Sequence, residues 1–153
     1  MMSASNVSAL EDHLGYWLRY VSNQVSHAFS LKVEARGVTV AEWVVMRELY
    51  EHVSVKPSAI ADGLGMTRGA ISKLADRLEA KSLVARTADT TDRRYQELAL
   101  TGAGRALVPE LSALADRNDN EFFGHLTSAD RAGLQRILQD VVRQRGLRTV
   151  PID

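Results

Sequence analysis

The basic side chains of this chain are concentrated in one short segment. Between Thr67 and Arg94 the sequence carries seven basic and four acidic residues, a local charge of +3, whereas the whole chain has a formal net charge of zero. The basic residues of the segment are Arg68, Lys73, Arg77, Lys81, Arg86, Arg93 and Arg94. A localised positive segment on a neutral protein is typical of a surface that binds phosphate groups. Nucleic-acid binding is therefore the first class of function to consider.

Residues 67–77 have the side-chain types that contact base edges and phosphates. The predicted contacts in this stretch are Thr67, Arg68, Gly69, Ser72, Lys73 and Arg77. They face away from an apolar stripe at helical spacing, formed by Ile71, Leu74 and Leu78. An arginine such as Arg68 can pair with a guanine or bind a phosphate. The alternative interpretation of the whole face is an ordinary solvent-exposed surface without a ligand. Arg77 is the weakest candidate, because Asp76 and Glu79 could neutralise its charge.

A helix-turn-helix pattern would position these residues. Pro57 suits the first turn of a helix, and Ala61 is small enough for a second helix to cross there. Gly63 and Gly65 bracket the predicted turn, where a positive φ costs glycine little. Thr67 is the predicted N-cap of the second helix, whose first residues would reach base edges in the major groove. An αα-hairpin that only fills a core has the same local pattern.

A predicted basic hairpin follows the two helices and favours DNA binding. Residues 83–86 and 95–100 are the predicted strands, and the connection between them is polar and should be exposed. Arg93 and Arg94 lie where such a wing would meet the minor groove, whose negative potential attracts arginine. Asp92 is placed to orient Arg94 through a charge-assisted hydrogen bond. An ordinary solvated turn is the alternative here.

A long helix is predicted before this unit, at residues 7–36. A helix of that length spans about 45 Å, which is more than one small core can cover. A second subunit is the simplest candidate to cover the remainder. Gly37 is expected to end the helix. The apolar stripe of the helix consists of Leu10, Leu14, Leu18, Val21, Val25 and Phe29.

Three more helices are predicted, at residues 39–52, 101–126 and 127–146. Each opens on a threonine that can cap the first amides, and Glu42 completes a capping box in the first of them. Pro109 is expected to kink the middle helix near its start. The last helix is predicted to turn an apolar stripe inward, formed by Leu134, Ile137, Leu138, Val141 and Val142.

Other classes of protein fit the sequence less well. The absence of cysteine excludes disulfides, thiolate metal sites and cysteine redox switches. The four histidines lack metal-ligand spacing and no GxSxG motif occurs, so we expect no metal, no cofactor and no enzymatic activity. The glycines of residues 63–69 follow a predicted helix rather than a strand, which argues against a dinucleotide loop. No apolar run reaches the roughly 18 residues of a membrane span, and no secretory signal is recognisable, so a cytoplasmic location is expected.

The wing segment carries a resemblance to a known family. Residues 89–94 (Asp-Thr-Thr-Asp-Arg-Arg), followed by residues 98–101 (Leu-Ala-Leu-Thr) and Gly104, strongly resemble the wing signature of the MarR family of bacterial transcriptional regulators. Residues 38–43 (Val-Thr-Val-Ala-Glu-Trp) are similar to the start of that family's second helix. The resemblance covers essentially the whole chain. It departs in having Thr90 where many members carry proline, which should change only the stiffness of the loop.

The resemblance implies partners as well as a fold. It implies an obligate homodimer, joined by N- and C-terminal helices, with two winged helices on a palindromic operator in double-stranded DNA. It also implies release of DNA when a small molecule, often an aromatic acid or phenolic compound, enters a cleft between the dimer helices and the winged unit. By position, the cleft residues would be His13, Trp17, Trp43 and Arg47. The alternatives are a core position for Trp43 and an exposed or ion-paired position for Arg47.

The predicted fold class is mainly α with a small two- or three-stranded β-wing, a winged helix-turn-helix with long N- and C-terminal dimerisation helices. We predict one domain over residues 1–153, with a DNA-binding unit at about 38–101 and helical dimerisation regions at about 7–36 and 102–146. The predicted function is a ligand-responsive homodimeric regulator, a repressor because blocking a promoter requires only occupancy. The alternative is a winged-helix protein-interaction module without DNA binding, which would need a neutral or acidic recognition face.

Overall fold

The chain folds into six α-helices and one β-hairpin within residues 6–88 and 96–148, the part that the computed structural model describes. The helices are α1 (Leu14–Glu34), α2 (Val40–Tyr50), α3 (Pro57–Leu64), α4 (Arg68–Ala80), α5 (Gly102–Phe123) and α6 (Ser128–Arg145). The hairpin, between α4 and α5, consists of β1 (Val84–Ala88) and β2 (Gln96–Leu100). The predicted fold class is confirmed. None of the described helices is long and apolar enough to cross a membrane.

The N-terminal helix is shorter than predicted. The prediction of one helix over residues 7–36 is wrong at its start, because Leu10–Asp12 form a 3₁₀ turn and His13 is extended, with φ −100° and ψ 128°. The Asp12 carboxylate accepts a hydrogen bond from the Ala9 amide at 2.9 Å, which caps the start of the 3₁₀ turn. The extended His13 separates this turn from α1. At the other end, Gly37 follows α1 with a φ of +83°, in agreement with its predicted role.

Local caps fix the ends of the helix-turn-helix. The predicted capping box of α2 is confirmed, since the Thr39 hydroxyl accepts from the Glu42 amide at 3.2 Å and the Glu42 carboxylate accepts from the Thr39 amide at 3.3 Å. Thr67 caps α4, because its hydroxyl accepts a hydrogen bond of 3.1 Å from the backbone amide three residues later. Gly65 ends α3 with a φ of +65°. Gly63 lies inside α3 without a positive φ, so the prediction that two glycines bracket the turn is wrong.

One hydrophobic core joins the helix-turn-helix to the hairpin and to both long helices. The apolar stripes of α2, α3 and α4 meet there with the end of α1 and the first half of α5. Burying each large aliphatic side chain contributes about 1.5–3 kcal/mol to folding. The buried apolar residues are Val33, Val38, Val45, Met46, Leu49, Ile60, Ala61, Ile71, Leu74, Ala75, Leu78, Val84, Leu98, Val108 and Leu111.

The hairpin is antiparallel and is held to the helix-turn-helix by one further bridge. Arg86 of β1 lies opposite the buried Leu98 of β2. Val55 bridges to Leu98 through two backbone hydrogen bonds of 2.8 Å, so the described sheet has two strands and one isolated bridge. β1 extends beyond the strand predicted at residues 83–86. Tyr95, the predicted first residue of the second strand, lies outside the described residues.

The C-terminal helices have the predicted caps. Thr101 caps α5 by accepting from the Gly104 amide at 3.0 Å, and the helix continues through Pro109 to Phe123, three residues before its predicted end. Thr127 caps α6 in the same way at 3.1 Å. Gly146, with a φ of +60°, ends α6 at the predicted position.

The apolar stripe of α6 is exposed rather than turned inward within this chain. Its five predicted inward residues are between 39% and 55% exposed, and no residue of α6 is buried. The first half of α1 and the turn before it also expose large apolar side chains: Leu10, Leu14, Trp17, Leu18, Tyr20 and Val21. Contiguous exposed apolar surface marks an interaction site. The described chain therefore carries an uncovered apolar surface on α1 and α6.

Candidate nucleic-acid interface

Helix α4 has one buried and one exposed face. Its buried residues are Ile71, Leu74, Ala75 and Leu78, which include the whole predicted stripe. All six contacts predicted on this helix are exposed, so the structure brings them together on its outer side. We call this surface the cationic face of α4, and it consists of Thr67, Arg68, Gly69, Ser72, Lys73 and Arg77.

The N-terminal end of α4 suits an anion. The Thr67 hydroxyl oxygen accepts from the Ala70 amide at 3.1 Å, which leaves the hydroxyl hydrogen available to donate. The first amides of a helix and its dipole favour a negative group such as a phosphate. Gly69 lies in this first turn, and a Cβ added there would meet nothing within 4 Å. Packing within the chain therefore does not require the glycine, and the surface above it is open to close approach.

The cations of this face have no acidic partner in the described part of the chain. These cations are Arg68, Lys73 and Arg77, and none of them forms an ion pair with another described residue. Asp76 and Glu79, on the same helix, contact Arg86 of β1 instead: Arg86 Nη2 pairs with Asp76, and Arg86 Nε lies 3.5 Å from Glu79 Oε2. Asp76 and Glu79, named in the sequence as residues that could neutralise Arg77, therefore pair with Arg86 of the hairpin instead.

Lys81 supports the fold rather than the cationic face. It is the C-cap of α4, and its Nζ donates to both carboxylate oxygens of Glu42 at 2.9 and 2.7 Å and to the Gly37 carbonyl at 2.9 Å. Glu42 is only 1% exposed whereas the Lys81 side chain is 38% exposed, so a solvent-accessible lysine joins the end of α4 to a buried carboxylate at the start of α2. Sequence spacing did not identify the pair, because 39 residues separate its members.

The tip of the wing lies outside the described residues. This applies to the three residues predicted there, Asp92, Arg93 and Arg94. At the base of the wing, β1 ends at Ala88 and β2 begins at Gln96, and these two residues pair with each other. The DNA contacts of the tip stay predictions.

A polar network that the sequence did not predict joins α1 to α5. Lys32 Nζ donates to Asn118 Oδ1 at 2.9 Å and to Glu121 Oε2 at 2.8 Å, and the Asn118 amide donates to the Val25 carbonyl at 3.1 Å. The hydrogen bond from Lys32 lowers the pKa of the Glu121 carboxyl below its usual value; desolvation raises it, and Arg117 lowers it further. In the sequence, this network is marked only by a lysine and an asparagine on helix faces that carry both polar and apolar side chains.

Comparison with known proteins adds a family to this geometry. Residues 38–95 match the model of the MarR family. The HTH-type transcriptional repressor MdtR of Bacillus subtilis (strain 168) is 42% identical over 81 residues, a match that spans 53% of this chain and only about half, 52%, of MdtR. Residues 38–95, which hold the helix-turn-helix and most of the hairpin, are therefore similar to the MarR family of transcriptional regulators.

Solved structures extend the similarity along most of this chain. CouR from Rhodococcus jostii RHA1, solved with p-coumaroyl-CoA bound, is 28% identical with a TM-score of 0.76, over 88% of this chain and 95% of CouR. MepR of S. aureus, solved as a DNA complex, is 23% identical with a TM-score of 0.79, over 86% of this chain and 98% of MepR. At that lower identity the likeness to MepR shows the shared fold alone.

The four effector residues predicted from the MarR resemblance occupy different settings. His13 is the exposed N-cap of α1, and Trp17, which is 50% exposed, donates its ring N–H to a backbone carbonyl at 2.9 Å. Trp43 is partly buried against the core, and Arg47 pairs with Glu51 at 2.9 Å. Among the described residues, no hydrogen bond, ion pair or ring contact joins the two residues near the start of α1 to the two on α2. The effector cleft stays a prediction.

Proposed function

We propose that this protein is a MarR-family regulator that binds an operator in double-stranded DNA as a homodimer and represses transcription until a small ligand releases it. The observation that carries the proposal is the cationic face of α4, which is exposed and whose three cations have no ion pair in the described part of the chain. The second helix of a helix-turn-helix enters the major groove with its N-terminal residues on the base edges. MdtR, which is 42% identical over 81 residues, is named a repressor, and this supports the proposal.

The proposed contacts divide by their position along α4. Arg68 and Ser72, in the first part of the helix, contact base edges, while Thr67 and Gly69 admit a phosphate to the helix N-terminus. The cations further along, Lys73 and Arg77, hold the phosphate backbone. In the wing, Arg93 and Arg94 enter the minor groove, with Asp92 orienting Arg94.

The proposed dimer covers the apolar surface of α1 and α6. Side chains such as Trp17 and Ile137 are 50% and 55% exposed in the single chain, and a second copy offers a surface of the same chemistry. The pairing places residues 7–36 and 102–146 in the dimerisation region and residues 38–101 in the DNA-binding unit. Two copies of α4 would then meet half-sites about 34 Å apart, which requires a palindromic operator.

The proposed ligand is an aromatic acid or phenolic compound. CouR, at 28% identity, was solved with p-coumaroyl-CoA, whose acyl group is a phenolic acid. In this chain the exposed part of α1 carries aromatic rings in contact, with Tyr16 and Trp17 edge to face at 5.3 Å between ring centroids. The candidate cleft residues remain His13, Trp17, Trp43 and Arg47. Binding there is proposed to alter how the dimer helices hold the winged unit.

A gel-shift titration against the DNA upstream of the protein's own coding region tests the proposal. The purified protein is titrated at two salt concentrations with an excess of unrelated competitor DNA. We expect a specific complex whose affinity falls steeply with salt, because phosphate contacts release counterions. Adding aromatic acids to the preformed complex then tests release. Weak binding that the competitor removes, on this fragment and on fragments selected from a random library, would refute operator binding.

A further inference from the structure

Arg86 lies where the hairpin meets α4. It is on β1 opposite Leu98, and its side chain is 28% exposed. Its Nη2 contacts Asp76, and its buried Nε faces Glu79 Oε2 at 3.5 Å without another partner. On the basis of the proposed function, we propose that Arg86 is a positioning residue for DNA binding. By holding these two carboxylates, it keeps the cationic face of α4 available to phosphates.

The position of Asp76 is the first reason. Asp76 is three residues after Lys73 and four after Ser72, and residues at these spacings are neighbours on a helix surface. Asp76 therefore lies within the cationic face, and its side chain is 68% exposed. Without Arg86 its carboxylate would pair with Lys73 and would place a negative charge opposite the DNA backbone. Both effects remove a cation from the phosphate contact.

The arrangement of the two acids is the second reason. Asp76 and Glu79 are three residues apart on α4, a spacing at which like charges repel. The Arg86 guanidinium is a planar fork that presents different nitrogens to different acceptors, and here Nη2 and Nε point to different carboxylates. A lysine has one ammonium group on a flexible stem and lacks this fork. The same contacts fix β1 against α4, which sets where the wing begins.

A set of charge variants tests this role. Arg86→Gln, Asp76→Asn and the double variant are titrated by fluorescence anisotropy with a labelled random-sequence duplex over a range of salt concentrations, since phosphate contacts do not depend on base sequence. The matched control is Arg36→Gln, which removes one arginine from the exposed ion pair with Glu110 between α1 and α5. Thermal unfolding of each variant shows whether it is folded. Arg86→Lys, which keeps the charge without the fork, replaces Arg86→Gln in the same comparison if the latter does not fold.

The expected result is a rescue. Arg86→Gln should weaken binding about fivefold at low salt, as expected for exposed charge pairs, and should reduce the slope of log K against log salt by about 0.9, the contribution of one phosphate contact. Adding Asp76→Asn should restore both values in the Arg86→Gln background and change little in the wild-type background. Arg36→Gln should leave both values unchanged.

Two outcomes would overturn the inference while leaving the proposed function intact. An unchanged salt slope in Arg86→Gln, even with a lower Tm, would mean that Arg86 only supports the fold. A reduced slope that Asp76→Asn does not restore would mean that Arg86 itself contacts DNA. A wild-type protein with no salt-dependent affinity for the duplex would instead refute the proposed function, and the inference with it.

Discussion

The basic residues of the segment 67–94 have different roles, although they look alike in the sequence. Lys81 pairs with the buried carboxylate of Glu42, and Arg86 holds two carboxylates of α4. The cations left without an ion pair in the described part of the chain are Arg68, Lys73 and Arg77. Local charge indicated where the exposed cations lie, but it could not separate these roles, because the partners of Lys81 and Arg86 are remote in the chain or lie on another element.

Gly104 is required where α5 meets the hairpin. A Cβ at this position would lie 2.0 Å from the Leu83 carbonyl oxygen, which accepts a hydrogen bond from the Thr101 amide at 3.0 Å. We expect Gly104→Ala to lower the free energy of unfolding by about 1–3 kcal/mol, because backbone must move to admit the methyl group. Gly102→Ala is the matched control on the same helix, since its Cβ would meet nothing within 4 Å. Equal melting temperatures for the two variants would contradict this packing.

Among the helices, the sequence predicted features that depend on neighbouring residues, but not features that depend on distant ones. The threonine caps of four helices, at Thr39, Thr67, Thr101 and Thr127, follow from sequence because each donor is three residues from its acceptor. The predicted start of α1 was wrong because the backbone is extended at His13, a break that the apolar spacing of residues 10–29 does not reveal. The periodicity of α6 identified its apolar face, but periodicity does not show which other surface covers that face. For the same reason the four effector residues could be named only from resemblance.

The apolar stripe of α6 predicts a change of assembly state. Ile137 is 55% exposed near the middle of this stripe, so a carboxylate there would be buried without a partner in the proposed dimer. We expect Ile137→Glu to shift the protein from dimer to the mass of one chain, 16.9 kDa, in light scattering or sedimentation. Ala132→Glu adds the same charge on the other side of α6, where the residue is exposed, and should leave the dimer intact. A dimeric Ile137→Glu protein would place the interface elsewhere.

Across the whole molecule, α5 connects the apolar surface to the winged helix. In its second half, Glu121 pairs with Lys32 of α1, and the distance between Lys32 Nζ and the Glu121 carboxylate oxygen is 2.8 Å. Its first half holds the end of α2, where Arg105 donates to the carbonyls of Tyr50 and His52 at 3.1 Å each. A second copy bound to α1 and α6 would therefore fix the distance between two cationic faces through α5. This is the geometry that a palindromic operator requires.

If the cationic face of α4 binds DNA, removing its phosphate-binding cations must weaken binding, which a comparison of two double variants measures. Lys73→Gln/Arg77→Gln removes two cations from the face, whereas Arg36→Gln/Arg148→Gln removes two exposed arginines elsewhere. Both are titrated by anisotropy against the upstream fragment over a range of salt concentrations. We expect the first to reduce the salt slope by about 1.8, two phosphate contacts, and to lower affinity at least about tenfold, while the control matches the wild type. If both double variants bind like the wild type, the cationic face of α4 does not contact DNA and the proposed function is wrong.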